Sequence, residues 1–172
     1  VIDASATQDT LVVGDFYGTA QLKMKDGSYR PVMGGFVPAD LQQAAGLTNI
    51  QLHDLQPAER MGAMLAMADL HLLPQIAGAA DLVLPSKLTN MLASARPVVA
   101  TTEPGTGLYA EVDGCGAVSP PGDAEALAAS IAALADDPQA RAQMGAEARR
   151  RAEERWSKDA IIARAVAEMD HL

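Results

Sequence analysis

The sequence predicts an α/β fold: a parallel sheet flanked by helices on both faces, with a helical C-terminal tail and an N-terminal β-hairpin. Two observations predict the sheet and its covering. Short β-branched or apolar runs recur along the chain, and most are separated by segments whose apolar residues fall at three- and four-residue spacing. Strands and helices alternating at that pitch leave each strand covered on both sides, the setting of parallel pairing. A third observation predicts the hairpin: "QLKMKDGSYRPV" alternates about Asp26-Gly27, a short turn signal that closes antiparallel strands.

The elements follow in chain order. Leu11 to Phe16 is the first strand and contains Gly14. Gln21 to Val32 is the hairpin, because too few residues separate Leu11 from Pro31 for a crossover helix. Further strands are read at Arg30 to Gly35, Ile50 to Leu55, Leu70 to Pro74, Pro97 to Thr102 and Gly116 to Ser119. Helices are read at Pro38 to Ala45, Pro57 to Ala68, Ser86 to Ala95 and Asp123 to Ala135, several of which open on Pro or a small polar residue. From Asp123 onward no strand signal appears; Pro138 and the Trp156-Ser157 junction cut the tail into three helices, the last capped by Ser157. Ligands in such sheets bind at the carboxyl ends of the strands, on loops that lead into helices.

Composition narrows the function classes. A chain of 172 residues with 49% hydrophobic content suits one domain, or one lobe of a two-lobed protein, with an aliphatic core, since aromatics are only 3%. A formal net charge of −9 opposes binding to a polyanion, so nucleic acid is excluded as a partner. One cysteine, Cys115, makes no internal disulfide and no zinc-ligand cluster, which fits a reducing, cytoplasmic compartment. The most apolar region, Met61 to Leu84, is interrupted by Asp69, His71, Gln75 and Asp81 and is too polar to span a membrane. No basic leader with an apolar stretch is read, and the opening on Val1 reads as a fragment or a processed product.

The stretch "LPSKLTN" carries the sharpest chemical signal. If Ser86 caps the helix that follows a strand-end loop, the first-turn N–H groups and the positive end of the helix dipole face the ligand side of the sheet, and Lys87 adds an ammonium. That is an anion cradle. The plainer alternative makes Ser86 a cap and Lys87 a solvated first-turn residue. "TTEPGTGL" repeats the logic: Gly105 relaxes the backbone and Thr106 caps the next helix, while Glu103 is placed to accept from a ligand hydroxyl or is an ordinary loop residue. His71 and His53 read as core histidines, Met61, Met64 and Met67 as a core-packing face, and Cys115 as a small buried hydrophobe. Arg149, Arg150, Arg151 and Arg155 read as an exposed helix face neutralised by Glu147 and Glu154; docking to anionic lipid is the lesser alternative.

The stretch "LQPAERMGAMLAMADLHLLPQIAGAADLVLPSKLTNMLASARPVVATTEPGTGLYAEV" resembles the donor-binding lobe of the glycosyltransferase family 4 (group 1) enzymes, in the branch of colanic acid and exopolysaccharide synthesis. "SPPGDAEALAASIAALADDPQARAQMGAEAR" resembles the family's C-terminal end, so the likeness runs from about Ala39 to Ile162. It implies one Rossmann-like lobe of a GT-B enzyme that retains anomeric configuration without a metal or a cofactor, its substrate a UDP- or GDP-linked sugar. By the resemblance Ser86 and Lys87 meet the donor diphosphate, the loop from Gln75 to Asp81 lies beside the donor sugar, and Gly105 and Thr106 close the other side. No catalytic residue is assigned.

Three departures stand out. Asn90 replaces the glutamate with which many relatives hold the ribose, Ala95 stands where the family has Gly, and residues 1–38 form an atypical first unit that keeps Gly14 and Gly18 without the usual helix. The expectation is therefore a single donor-binding lobe over residues 1–172, with 123–172 as its helical tail, inactive without an N-terminal acceptor lobe. Its partners are a nucleotide-sugar, that lobe, and a lipid-linked glycan acceptor reached by at most peripheral contact with the inner membrane face. The rival is a non-catalytic nucleotide-binding or protein-interaction module that keeps the half-fold. A nucleotide-sugar epimerase needs carboxylates and a His in one cleft, and this chain offers no convincing set.

Overall fold

The computed structural model describes residues 13–15, 20–23, 29–32, 57–75 and 84–170; for the first three segments it describes the backbone. The first strand, β1, spans Val13–Asp15. Strands β2 (Ala20–Lys23) and β3 (Tyr29–Val32) pair antiparallel, Lys23 opposite Tyr29 and Ala20 opposite Val32, which centres the expected hairpin on position 26. The Asp26-Gly27 turn itself, Gly18, the helix expected at 38–45 and the strand expected at 50–55 lie outside the described residues.

From Pro57 the alternation proceeds as the pattern predicts. A short tight turn at Ala58–Arg60 leads into α1 (Met61–Met67), and β4 (Leu70–Leu73), α2 (Lys87–Ala93), β5 (Val98–Thr101), α3 (Gly107–Val112) and β6 (Gly116–Ser119) follow. The tail holds α4 (Ala124–Asp136), α5 (Pro138–Arg151), a wider-wound segment at Ala152–Trp156, and α6 (Lys158–Met169). Strands β1, β4, β5 and β6 form one parallel sheet in that order.

The sheet is covered on both faces because its strands are apolar on both. Val98 and Ala100 turn to a core shared with Leu88, Met91, Leu108 and Val112, which brings α2, α3 and the end of α5 onto one side. Leu70 and Val99 turn to Ile131 and Leu134, which places α4 on the other. The helix starts show why local sequence suffices there: Thr106, Asp123, Asp137 and Ser157 each accept from the backbone N–H three residues on, at 3.1, 2.9, 2.8 and 3.2 Å. Pro138, which has no N–H to satisfy, opens α5.

Three expectations need correction. Ser86 does not cap α2 with its side chain. Its φ and ψ of −57° and −20° are already helical, because the turn begins one residue earlier with Leu88 N–H on the Pro85 carbonyl, so the hydroxyl cannot swing back to the first turn. The methionine face of α1 is only partly core. Met61 and Met64 are half-buried, but Met67 is 73% exposed, and Leu65 and Ala68 take the buried positions. The arginine cluster is not one exposed face either: Arg151 is only 8% exposed.

Ala95 follows the end of α2 with a left-handed φ of 59°. Such a residue after a helix favours Gly, because a Cβ there meets the neighbouring carbonyl. Ala95→Gly is therefore expected to raise stability by about 0.5–1 kcal/mol. Chemical denaturation checks this, and a lowered midpoint would show that the Ala95 methyl group contributes more by packing than its backbone conformation costs.

Candidate functional site

The carboxyl ends of β4, β5 and β6 converge on one edge of the sheet, at Leu73, Thr101 and Ser119. Immediately beyond β4, Gln75 is held by the end of β5. Its backbone N–H donates to Thr101 Oγ1 at 2.6 Å, and the same hydroxyl donates to the Gln75 carbonyl at 2.8 Å. One threonine hydroxyl thus carries the β4–β5 pairing past the last ladder bond. The Oε1 atom of Gln75 is buried without a hydrogen-bond partner among the described residues.

The loop after β5 is built around Thr106. Its hydroxyl donates to the Glu103 carbonyl at 2.9 Å, accepts from Tyr109 N–H at 3.1 Å and lies 2.7 Å from Thr102 Oγ1. Between Glu103 and Thr106 the chain reverses through Gly105 at a φ of +89°, a conformation that side chains rarely adopt. Thr106 is buried; Gly105 and Glu103 are exposed.

Helix α2 links β4 to the parallel β5, so it runs back along the sheet and begins on the carboxyl edge. Ser86 is exposed before its first turn, Lys87 is half-buried as its first residue, and Asn90 is exposed one turn on. Thr89 Oγ1 donates to the Ser86 carbonyl at 3.1 Å. Topology therefore brings Gln75, Ser86, Lys87, Gly105 and Thr106 to one edge. Gly14 lies within β1, opposite His71 and one residue before that strand ends, rather than on a loop. The rest of the loop expected beside a sugar, residues 76–81, lies outside the described residues.

A cleft of about 290 Å³ opens on the outer flank of the Thr106 loop, walled by Thr102, Glu103, Tyr109, Asp113, Ser119 and Pro120. Gln75, Ser86, Lys87 and Asn90 do not line it, so it shares the β5 loop and Ser119 with the convergent edge. Among the described residues no group of three or more His, Cys, Asp or Glu stands together as metal ligands.

Other reactive side chains have structural partners. His71 is fully buried, its Nε2 2.9 Å from Ser94 Oγ, which in turn donates to the Met91 carbonyl at 2.6 Å. The Cys115 thiol donates to the Glu111 carbonyl at 3.1 Å. Burial pushes its pKa up to about 11, with Arg151 pulling only partly the other way, so it stays protonated at neutral pH. Glu111, which the sequence reading passed over, accepts from Arg155 Nη1 and Trp156 Nε1, both at 3.0 Å, and so ties α3 to the segment before α6.

Known proteins share this fold and parts of this sequence. Over 63 residues the chain is 49% identical to the putative colanic acid biosynthesis glycosyl transferase WcaI of Escherichia coli strain K12, covering 37% of this chain and 16% of that protein. Among solved structures, sucrose-phosphate synthase from Thermosynechococcus elongatus superposes with a TM-score of 0.64 at 21% identity, over 77% of this chain and 32% of its own. Anabaena Alr3699/HepE in complex with UDP-glucose superposes with a TM-score of 0.63 at 20% identity, over 77% of this chain and 35% of its own. The chain thus spans about a third or less of the length of these relatives. The fold they share is the Rossmann-like parallel sheet flanked by helices. The family described as glycosyl transferases group 1 matches residues 34–151, more than half of the chain, and the protein belongs to that family.

Proposed function

We propose that the chain, as a single unit over residues 1–172, is the donor-binding lobe of a retaining, metal-independent glycosyltransferase of polysaccharide synthesis. The observation that carries this reading is the convergence of Gln75, Ser86, Lys87, Gly105 and Thr106 on the carboxyl edge of a parallel sheet, within the residues that match the family. The UDP-glucose held by the similar HepE supports a nucleotide-sugar as the ligand. In this role Lys87 and the uncapped first turn of α2 offset the charge of the diphosphate, so no metal is needed there. Asn90, on the same helix face as Lys87, faces the ribose, and the Thr106 loop closes the site. The donor is UDP- or GDP-linked, no further cofactor takes part, and a second lobe supplies the acceptor, a lipid-linked glycan at the inner membrane face of the cytoplasm.

Titration calorimetry with UDP, GDP and their sugar conjugates, with and without chelator, tests this. Binding is expected to be unaffected by chelation. Lys87→Ala is expected to remove a charge-assisted bond of roughly 1.5–3 kcal/mol, about 10- to 150-fold in dissociation constant. Ser86→Ala is the control: because Ser86 makes no side-chain cap bond, its loss should change stability by less than about 0.5 kcal/mol. The exposed Asn90, a weaker partner for a diol than a carboxylate, favours a second reading as a non-catalytic module. Nucleotide binding that survives Lys87→Ala unchanged would select that reading.

A further inference from the structure

We infer that α6 is a dimerisation helix, its apolar stripe packing antiparallel against the same stripe of a second copy of this chain. None of its residues is buried, and every position from 161 to 170 is exposed. Its composition is nonetheless not that of a solvated helix. Ile161, Ile162, Ala165, Val166 and Met169 fall on one side, within an arc of about 140° at 3.6 residues per turn. The four large side chains among them are between 40% and 63% exposed. A helix of 12 residues is marginal in water unless an apolar face is packed, and a contiguous apolar patch on a surface marks a contact.

The charges beside the stripe select the partner and its direction. Arg164 and Glu168 border one side, Asp159 and Asp170 the other. A two-fold axis between Ala165 and Val166 sets Ile162 opposite Met169 of the second copy. The same axis brings Arg164 of each copy beside Glu168 of the other, so the pair forms twice. Ala165, in the middle, is small enough for the helix axes to approach to about 8 Å. Parallel pairing would set the acidic last turns, with Glu168 and Asp170, side by side; antiparallel pairing sets them beside Lys158. A lipid surface fits less well, because Lys158 and Arg164 are matched by Asp159 and Glu168 and form no cationic face. Two helices of three turns bury less than the roughly 1,200 Å² of a standard complex, so the association is weak.

Sedimentation velocity of the 172-residue chain from about 3 to about 300 µM tests this, with a dissociation constant on the order of 10–100 µM expected. Ile162→Glu is expected to weaken the dimer by more than about tenfold. A charge in the stripe also loosens α6 itself, so the decisive pair of variants leaves the stripe intact. Arg164→Glu and Glu168→Arg each set like charges across the axis, and each is expected to weaken self-association by about three- to tenfold at low salt. Mixed in equal amounts, the two variants face each other with opposite charges, so dimer should return, as a heterodimer, to within about twofold of wild type. A chain that stays monomeric at the highest concentration overturns the inference and gives the stripe to another occupant, a second lobe or a lipid surface. A dimer indifferent to Ile162→Glu forms elsewhere and overturns it equally. So does a mixture no more dimeric than its parts, which lacks the antiparallel register.

Discussion

Gly116→Ala is expected to destabilise the fold by about 3 kcal/mol, at the upper end of what overpacking costs. Gly116 opens β6 directly opposite Val98 of β5. A Cβ added there would lie 1.9 Å from the Val98 carbonyl oxygen, 2.9 Å from its carbon and 3.0 Å from Val112 Cγ1. The first two are backbone atoms of a fully buried strand, so no side-chain rotation relieves the clash; β5 and β6 must part, or α3 must lift. The urea midpoint should fall by roughly 1–2 M, given a denaturant slope of about 2 kcal/mol per molar. Gly62→Ala is the matched control. It lies exposed in α1 with nothing within 4 Å of an added Cβ, so the same chemical change should leave stability equal or raise it by up to about 1 kcal/mol. Equal midpoints for the two variants would mean that β6 does not pack against β5 as closely as the register implies.

The same contrast explains how much of the fold was legible in sequence. Strands β4, β5 and β6 and the helices of the tail were readable because each is marked locally, by β-branched runs or by a cap residue followed by helical spacing. What local marking cannot convey is backbone direction at a junction. Thr106 and Ser157 cap because their ψ values of 158° and 152° are extended, whereas Ser86, an equally good cap residue by type, sits at −20° and does not. The hydroxyl is the same; the turn begun at Pro85 differs. Nor does residue type reveal a close approach of two backbones. An added Cβ at Gly145 would lie 2.3 Å from the Ala95 carbonyl oxygen, so α5 crosses the turn after α2 almost in backbone contact. That approach explains a glycine in the middle of an otherwise strong helix.

The candidate site was legible in part, and mostly through resemblance. Spacing pointed to Ser86, Lys87, Gly105 and Thr106 as strand-end and helix-start residues, and the topology puts them on the expected edge. The clamp between Gln75 and Thr101 was not legible, because it joins residues 26 positions apart across two strands. Glu111 was passed over for a similar reason: its partners, Arg155 and Trp156, come from the tail. A signal for such long-range pairs exists only in the periodicity of the helices that carry them, as in α5, where Gly145, Ala148 and Arg151 recur at three-residue spacing on the buried stripe.

Arg151→Ala is expected to destabilise the fold by about 2–4 kcal/mol, while Arg150→Ala, one residue away, should leave the midpoint nearly unmoved. Arg151 follows Ala148 by three residues and Gly145 by six, on the small-residue stripe that α5 turns to the core, so its side chain is buried where Arg150 is half-exposed. Its Nη1 donates to the carbonyls of Ala110 and Glu111 at 3.1 and 3.0 Å, and its Nη2 to Glu147 Oε1 at 3.2 Å. It therefore gives a charged donor to two carbonyls at the C-terminal end of α3, of which that of Glu111 also accepts from the Cys115 thiol. Arg150 pairs only with Glu147 and Glu154 in solvent, where desolvation is slight and salt screens the attraction. Arg151→Lys should recover little, since one ammonium cannot reproduce the fork that spans two carbonyls and a carboxylate. Glu147 adds a pH signature. Hydrogen bonds from Arg150, and then from Arg151, hold its pKa down from 4.5 to about 2. A depressed folded value contributes stability that is fully present above pH 4.5 and is lost as pH falls toward 2. In both variants part of that acid dependence should disappear, the larger part in Arg150→Ala, because the bond from Arg150 depresses the carboxyl more than the bond from Arg151. Denaturation midpoints of wild type and both variants at pH 7 and at pH 3 measure both effects. Equal loss in the two variants would return Arg151 to the exposed, self-neutralised face that its neighbours form.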